Sequence, residues 1–260
     1  MLTYLSRPRL NALLADAVKH PLTIVRAGAG YGKTQAVYEF THTSPFLSAW
    51  TQLSERDNAG SRFWAKYVRL IESWDKDFVA HCHSLGFPDS EDKLNLHSDL
   101  RKRYAPAQRR VIVLDDAHLI THPDILLFLE RGLCETVDNV SVILICRELP
   151  GGALLNRQIK GDLPTVTEDD LNFTESELAS YLLQQGLPAS KRNLRDILED
   201  TKGWAFSVNL VARSLKKSPG YTGYVRTAMK QNIFNLMELE VFNVVSERLR
   251  RFFIRLSLID

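Results

Sequence analysis

The segment Ala27-Gly-Ala-Gly-Tyr-Gly-Lys-Thr34 constrains this chain more than any other. It follows the apolar run Leu22-Thr-Ile-Val25 and opens a helical stretch, Lys33–Phe40, so it reads as strand, tight loop and helix in succession. Gly28, Gly30 and Gly32 let backbone N–H groups turn inward around phosphate oxygens. The helix that starts near Lys33 adds its positive end. This is the setting of a P-loop. Lys33 is expected to reach the β- and γ-phosphates of a nucleotide, and Thr34 to ligate Mg2+. Ala29, Tyr31 and Gln35 are counted with the same nucleotide-binding set. Ala27 stands where the generic pattern has glycine, and fits if its φ is negative.

A second strand carries acid. Val111-Ile-Val-Leu-Asp-Asp-Ala-His118 is an apolar run ending in two carboxylates. Asp115 is expected to hold the Mg2+, directly or through water. Asp116 is expected to orient or deprotonate the attacking water. The interval between Lys33 and Asp115 leaves room for one more strand, Phe46–Thr51. This order resembles the additional-strand P-loop class, and the resemblance implies that Val142–Cys146 is the central strand, between the P-loop strand and the acidic one. Arg147 at its carboxyl end would face the γ-phosphate as a sensor arginine, at the edge where such sheets bind ligands.

Short continuous apolar runs alternate with amphipathic stretches along most of the chain, as in a parallel sheet covered by helices on both faces. A fifth strand is expected at Pro164–Thr167, and helices at Ser61–Trp74, Asp124–Val137 and Gly152–Gln158. Phe78–Pro106 reads as mixed helix and loop. The expected fold is therefore an α/β P-loop NTPase followed by a small α-helical domain. The latter comprises Thr174–Gln185, which opens on a capping box, then Asn193–Thr201, Trp204–Leu215 and Tyr224–Ser246. Residues 1–170 form the nucleotide-binding domain in this reading and 171–222 a helical lid. Residues 223–260 begin a truncated winged-helix region. Ser218–Gly223 is the hinge candidate, and the chain stops inside the apolar stretch Leu256–Asp260.

Charge and cysteines narrow the function classes. With 33 Lys and Arg against 31 Asp and Glu, the net charge is +2, and there is neither a basic stripe nor a reading helix. Direct, specific DNA binding is not expected. Three scattered cysteines make no disulfide framework, Cys146 reads as a buried thiol, and a cytoplasmic setting follows. No apolar run approaches the length of a membrane span.

In order along the chain, further short pieces strengthen the reading. They are Ser6-Arg-Pro-Arg-Leu10, Ala49-Trp-Thr-Gln-Leu53, Asp57-Asn58, Arg62-Phe-Trp64, Leu114–Ile120, Arg147, Leu171-Asn-Phe-Thr174, Thr201-Lys-Gly-Trp-Ala205 and Phe252–Asp260. Together with the phosphate loop they resemble the signal-transduction ATPases with numerous domains, and among them the MalT-like large ATP-binding regulators of the LuxR family. The resemblance implies ATP or ADP held between the P-loop domain and a helical lid, with a winged helix after it. Full-length members add an inducer-binding repeat region and a C-terminal helix-turn-helix. It also implies that Arg7–Leu10 lies along the adenine, which places Arg7 and Arg9 in the nucleotide-binding set. Gly203-Trp204 stands where related ATPases have Gly-x-Pro, with the proline absent.

Other signals carry bland readings. His81-Cys-His83 lacks the ligands of a metal site and reads as a solvated loop. His118 reads as a surface turn, Trp204 as core of the helical domain, and Trp50, Phe63 and Trp64 as core. Lys191, Arg192 and Arg195 read as a solvated face. The expected function is a nucleotide-controlled switch, self-associating with ATP and closed with ADP. The alternatives are an enzyme that turns over ATP or phosphorylates a small substrate, and a scaffold that binds nucleotide without cleaving it. No acceptor-binding constellation supports a kinase.

Overall fold

The structure is a computed structural model, and it describes residues 5–217. Five parallel strands form one sheet in the order β2-β3-β4-β1-β5: β1 Leu22–Arg26, β2 Leu47–Gln52, β3 Arg110–Asp115, β4 Val140–Cys146 and β5 Thr165–Val166. β4 lies between the P-loop strand and the acidic strand, as the resemblance implies. Strand side chains alternate between two apolar layers because successive Cβ atoms point to opposite faces. Val25, Val111, Val113, Ile143 and Ile145 pack under helices α1 (Pro8–Ala17) and α2 (Lys33–Thr43). Ile24, Ile112, Leu114, Val142 and Leu144 pack against the opposite layer. That layer holds α3 (Gly60–Ile71), α4 (Lys76–Leu85), α5 (Glu91–Arg103), α6 (Pro123–Leu127) and α7 (Gly152–Ile159). Both faces of β1, β3 and β4 are covered, which is why they read as nearly unbroken apolar runs, whereas β2 at the sheet edge has no buried residue.

Helix α1 was not anticipated. Pro8 opens it at a position where the missing N–H costs nothing. Its buried face is only Leu10, Leu14 and Ala17, too sparse for a clear period. The polar stretch expected as mixed helix and loop contains two capped helices. Asp75 accepts from the Asp77 and Phe78 amides at 2.9 and 3.0 Å, and Ser90 caps α5 through Lys93. His81-Cys-His83 is accordingly helical, not a solvated loop, and Cys82 is fully buried. The single helix expected over Asp124–Val137 breaks instead. α6 passes into a π-helical turn, Phe128–Gly132, and stops there. The Phe128 ring leaves no room for a Cβ at Gly132, and the buried Arg101 donates to the Gly132 carbonyl, satisfying a helix-end acceptor.

His97 lies in this layer, fully buried against Trp64, Tyr67 and Phe128 with ring centroids 5.2–5.5 Å away. Burial first, and then the Arg101 charge, hold its pKa well below the usual 6.5. Below pH 6.5 the unfolded chain takes up a proton that the folded chain refuses, so stability is lost as pH falls. The expected slope from this one group approaches about 1.4 kcal/mol per pH unit. Urea melts of His97→Phe between about pH 7.5 and 5 should lack that component, while the unchanged protein shows it.

The described residues fall into two compact units divided between Leu171 and Asn172. Glu168–Leu171 is a short helix, α8, at the end of the first. In the second, α9 (Glu175–Gln184) starts on the expected box: the Thr174 hydroxyl accepts from the Glu177 amide, and the Glu177 carboxylate accepts from the Thr174 amide. α10 (Lys191–Thr201) and α11 (Ala205–Lys217) complete an apolar cluster around Leu178, Leu182, Ile197, Val208 and Val211. Gly203 has φ +76°, and a Cβ there would meet the Phe173 carbonyl at 2.7 Å. That explains the glycine on steric grounds. Trp204 is half-buried against Phe206 and lies outside the cluster, contrary to its reading as core. Lys191 and Arg192 are exposed, as is Arg195. The hinge at 218–223, the helix at 224–246 and the winged-helix start lie outside the described residues.

Candidate nucleotide site

The carboxyl ends of β1, β3 and β4 bring the motifs together. Gly30 and Gly32 have φ of +75° and +76°, which glycine alone adopts freely, whereas Ala27 is not among the positive-φ residues. The condition for alanine at the first loop position is therefore met. Gly32 is the N-cap of α2 and supplies no side-chain cap. The first N–H groups of a helix have no intrahelical partner, so Lys33, Thr34 and Gln35 present backbone donors to the loop. Inside the loop, Lys33 Nζ donates to the Ala27 and Gly28 carbonyls, each at 2.8 Å. Desolvation, and then repulsion by Arg147, lower the Lys33 pKa, while Asp115 and Asp116 act against them. An arriving phosphate relieves the repulsion between the two cations.

Thr34 Oγ1 donates to Asp115 Oδ2 at 2.9 Å across 81 residues of sequence. Asp115 is buried, and burial is the largest cause of a raised pKa, with Thr34 and the Asp116 amide lowering it. A hydroxyl and a carboxylate side by side are hard oxygen donors, which suits Mg2+ that takes its other ligands from water and phosphate. Among the described residues no cluster of three or more His, Cys, Asp or Glu offers a separate metal cage. Asp116 follows in a left-handed conformation, φ 56°, unusual for a non-glycine residue. Its Oδ2 accepts from Gln52 Nε2 at 2.8 Å.

The other assigned residues lie at distinct places. Arg147 is exposed at the end of β4, close enough to act on Lys33 and His118 electrostatically. Arg7 is buried and donates to the Leu171 carbonyl at 2.9 Å, and Arg9 donates to the Asp170 carbonyl at 2.7 Å. Both arginines tie the start of α1 to α8, the short helix after β5. The Gly28 amide is engaged by Glu168 Oε1 at 2.7 Å, so in this state it faces a carboxylate and not a phosphate. Tyr31 also feels Glu168, after burial, in its raised pKa. A cleft of about 930 Å3 opens beside the loop, bordered by Ala27, Arg147, Leu155, Thr167 and Glu168.

Sequence reasoning missed Gln52 and Glu168, though both stand at or just past the carboxyl end of a parallel strand, the edge where such sheets place ligands. It discounted His118 as a surface turn. His118 is half-buried, and its pKa is lowered by burial first, with Asp116, Arg147, Lys33 and Asp115 all acting on it. Those four charges place it beside the phosphate loop, with Nδ1 buried and lacking a hydrogen-bond partner among the described residues.

Sheet order, phosphate loop and acidic strand together define an α/β P-loop NTPase fold. In sequence the chain is similar to the HTH-type transcriptional regulator MalT of Cronobacter sakazakii (strain ATCC BAA-894), at 29% identity over 97% of its own length. It spans only 29% of that protein. No protein-family model matches it. Solved structures that share the fold include two ATPases. One is the Walker-type ATPase paby2304 of Pyrococcus abyssi, with a TM-score of 0.59, 14% identity, and 96% of this chain and 77% of that one covered. The other is the signal transduction ATPase with numerous domains PH0952 of Pyrococcus horikoshii, which carries a tetratricopeptide repeat sensor. There the TM-score is 0.60 at 15% identity, over 89% of this chain and 33% of that one.

Proposed function

We propose that this chain is the ATP- and ADP-binding switch module of a bacterial LuxR-family transcriptional regulator, cleaving ATP slowly in the presence of Mg2+. The observation that carries the reading is the convergence of Lys33, Thr34 and Asp115 at one end of the sheet. Lys33 and the α2 amides hold the phosphates, Thr34 and Asp115 hold Mg2+, Asp116 handles the attacking water, and Arg147 meets the γ-phosphate. Gly28, Ala29, Gly30, Tyr31, Gly32 and Gln35 line the nucleotide's path, and Arg7 and Arg9 hold the adenine wall. Residues 1–170 are the nucleotide-binding domain, 171–222 the lid and 223–260 the start of a winged helix. The similarity to MalT supports a regulator in the cytoplasm that reaches DNA through another domain, and in this reading the module self-associates when active. No described helix is long and apolar enough to cross a membrane.

The test compares single-turnover cleavage of ATP with release of ADP. Slow cleavage followed by retained ADP is the expected result for a switch. Rapid multiple turnover would make the chain an ordinary ATPase, and absence of cleavage would make it a nucleotide-binding scaffold.

A further inference from the structure

Gln52 ends β2, and its side chain meets Asp116 across 64 residues of sequence. Both backbones are held without that bond. Gln52 is paired with Asp115 in the strand register, and the Leu53 amide donates to the Asp115 carbonyl at 2.8 Å. Lys66 Nζ donates to the Gln52 carbonyl at 3.0 Å. On the other side, the Asp116 amide donates to Asp115 Oδ1 at 2.9 Å, and the Asp116 carbonyl accepts from the Leu119 amide at 3.0 Å. Asn58 clamps the chain beyond: its Oδ1 accepts from the Thr121 and His122 amides at 2.7 and 2.9 Å, and its Nδ2 donates to the Leu119 carbonyl at 2.9 Å. The remaining freedom is the rotation of the Asp116 side chain. The Gln52 amide removes it.

We infer that Gln52 is a positioning residue for ATP cleavage, holding Asp116 by Oδ2 so that Oδ1 is turned to the attacking water. The inference rests on the ATP-cleaving reading above. In that step the water oxygen bonds to the γ-phosphorus and the bond from that phosphorus to the bridging oxygen breaks. ADP and inorganic phosphate leave, and the water proton passes by way of Asp116 to the phosphate. A carboxylate has lone pairs for both contacts, so one oxygen is anchored while the other works. A neutral amide at position 52 suits this role, since a lysine there would form an ion pair with Asp116 and attract phosphate, and a carboxylate would repel it. The left-handed backbone of Asp116 fits the same picture, because strain of this kind persists where the surroundings fix a residue in a functional geometry.

Gln52 is exposed at the rim of the sheet, so its replacement leaves the core intact. The experiment measures single-turnover cleavage of radiolabelled ATP, with the 260-residue chain in excess, alongside calorimetric binding of ATP. Gln52→Ala should slow cleavage by roughly tenfold to a hundredfold, the scale of a misplaced reacting group, with ATP affinity unchanged. Gln52→Glu should slow it at least as much. In an Asp116→Asn background, Gln52→Ala should have no further effect, because a residue that acts through Asp116 has nothing left to act on. Cleavage by either single variant at or above the unmodified rate would overturn the inference. So would an equal loss in both backgrounds, or a loss of affinity matching the loss of rate. If the unmodified chain binds ATP and never cleaves it, the ATP-cleaving reading falls and takes this role with it. That result is distinct from a failure confined to the Gln52 variants.

Discussion

Lys33→Ala is expected to weaken binding of ATP by roughly a hundredfold to ten-thousandfold, and binding of ADP less, since ADP lacks the γ-phosphate. In the proposed site the ammonium, which donates to the Ala27 and Gly28 carbonyls, would exchange those contacts for ones to the β- and γ-phosphates. Each charge-assisted hydrogen bond contributes about 1.5–3 kcal/mol, and two of them give that range at about tenfold per 1.4 kcal/mol. The direction is reinforced by the surroundings. Arg147 already repels Lys33, and an entering phosphate would relieve that repulsion. Alanine also leaves the two loop carbonyls without their donor, which loosens the loop itself. Isothermal calorimetry with and without Mg2+ is the measurement, and an unchanged dissociation constant would remove the P-loop assignment.

Asp116→Asn is expected to slow ATP cleavage by about a hundredfold to ten-thousandfold, the usual contribution of a positioned base, while nucleotide affinity stays within about twofold. Asp115→Asn should behave differently. Its carboxylate is buried against the Thr34 hydroxyl, so the amide removes the charge proposed to hold the cation. The dependence of ATP binding on Mg2+ should fall together with the rate. The contrast between adjacent residues follows from geometry. Asp115 ends the strand with its side chain on Thr34, whereas Asp116 leaves the strand in a left-handed turn with its side chain on Gln52. Quenched-flow cleavage and calorimetry on both variants separate the two roles. An Asp116→Asn chain that cleaves ATP at the normal rate would end the assignment of Asp116 to the water.

The sequence by itself determined the sheet and the phosphate loop. A continuous apolar run before the glycine loop, and another before Asp115-Asp116, specify strands buried on both faces, and the place of β4 between them was implied by the resemblance to the additional-strand P-loop class. The loop chemistry is equally local. Gly30, Gly32, Lys33 and Thr34 are consecutive or nearly so, and their conformations follow from the residue types. The elements that escaped were those with weak local signals. α1 buries few side chains, and α4 and α5 are polar, so their short apolar stripes were hidden by charge. α6 was read too long because its end is set by Phe128 and by Arg101 from another helix.

What only the tertiary structure decided is which side chains face one another across the end of the sheet. Gln52 meets Asp116, Glu168 meets Gly28, and Arg7 meets Leu171 over separations of 64, 140 and 164 residues. None of these pairs has a sequence period, because each depends on strand order and on a register in which a shift of one residue turns a side chain to the other face. His118 shows the same limit: three residues past Asp115 it reads as a turn, and only the fold sets it within reach of Lys33 and Arg147. Local patterns specify the parts that carry charge to the phosphates. The groups that orient those parts are chosen by long-range packing, where the free energy of a contact is gained only after the whole sheet has formed.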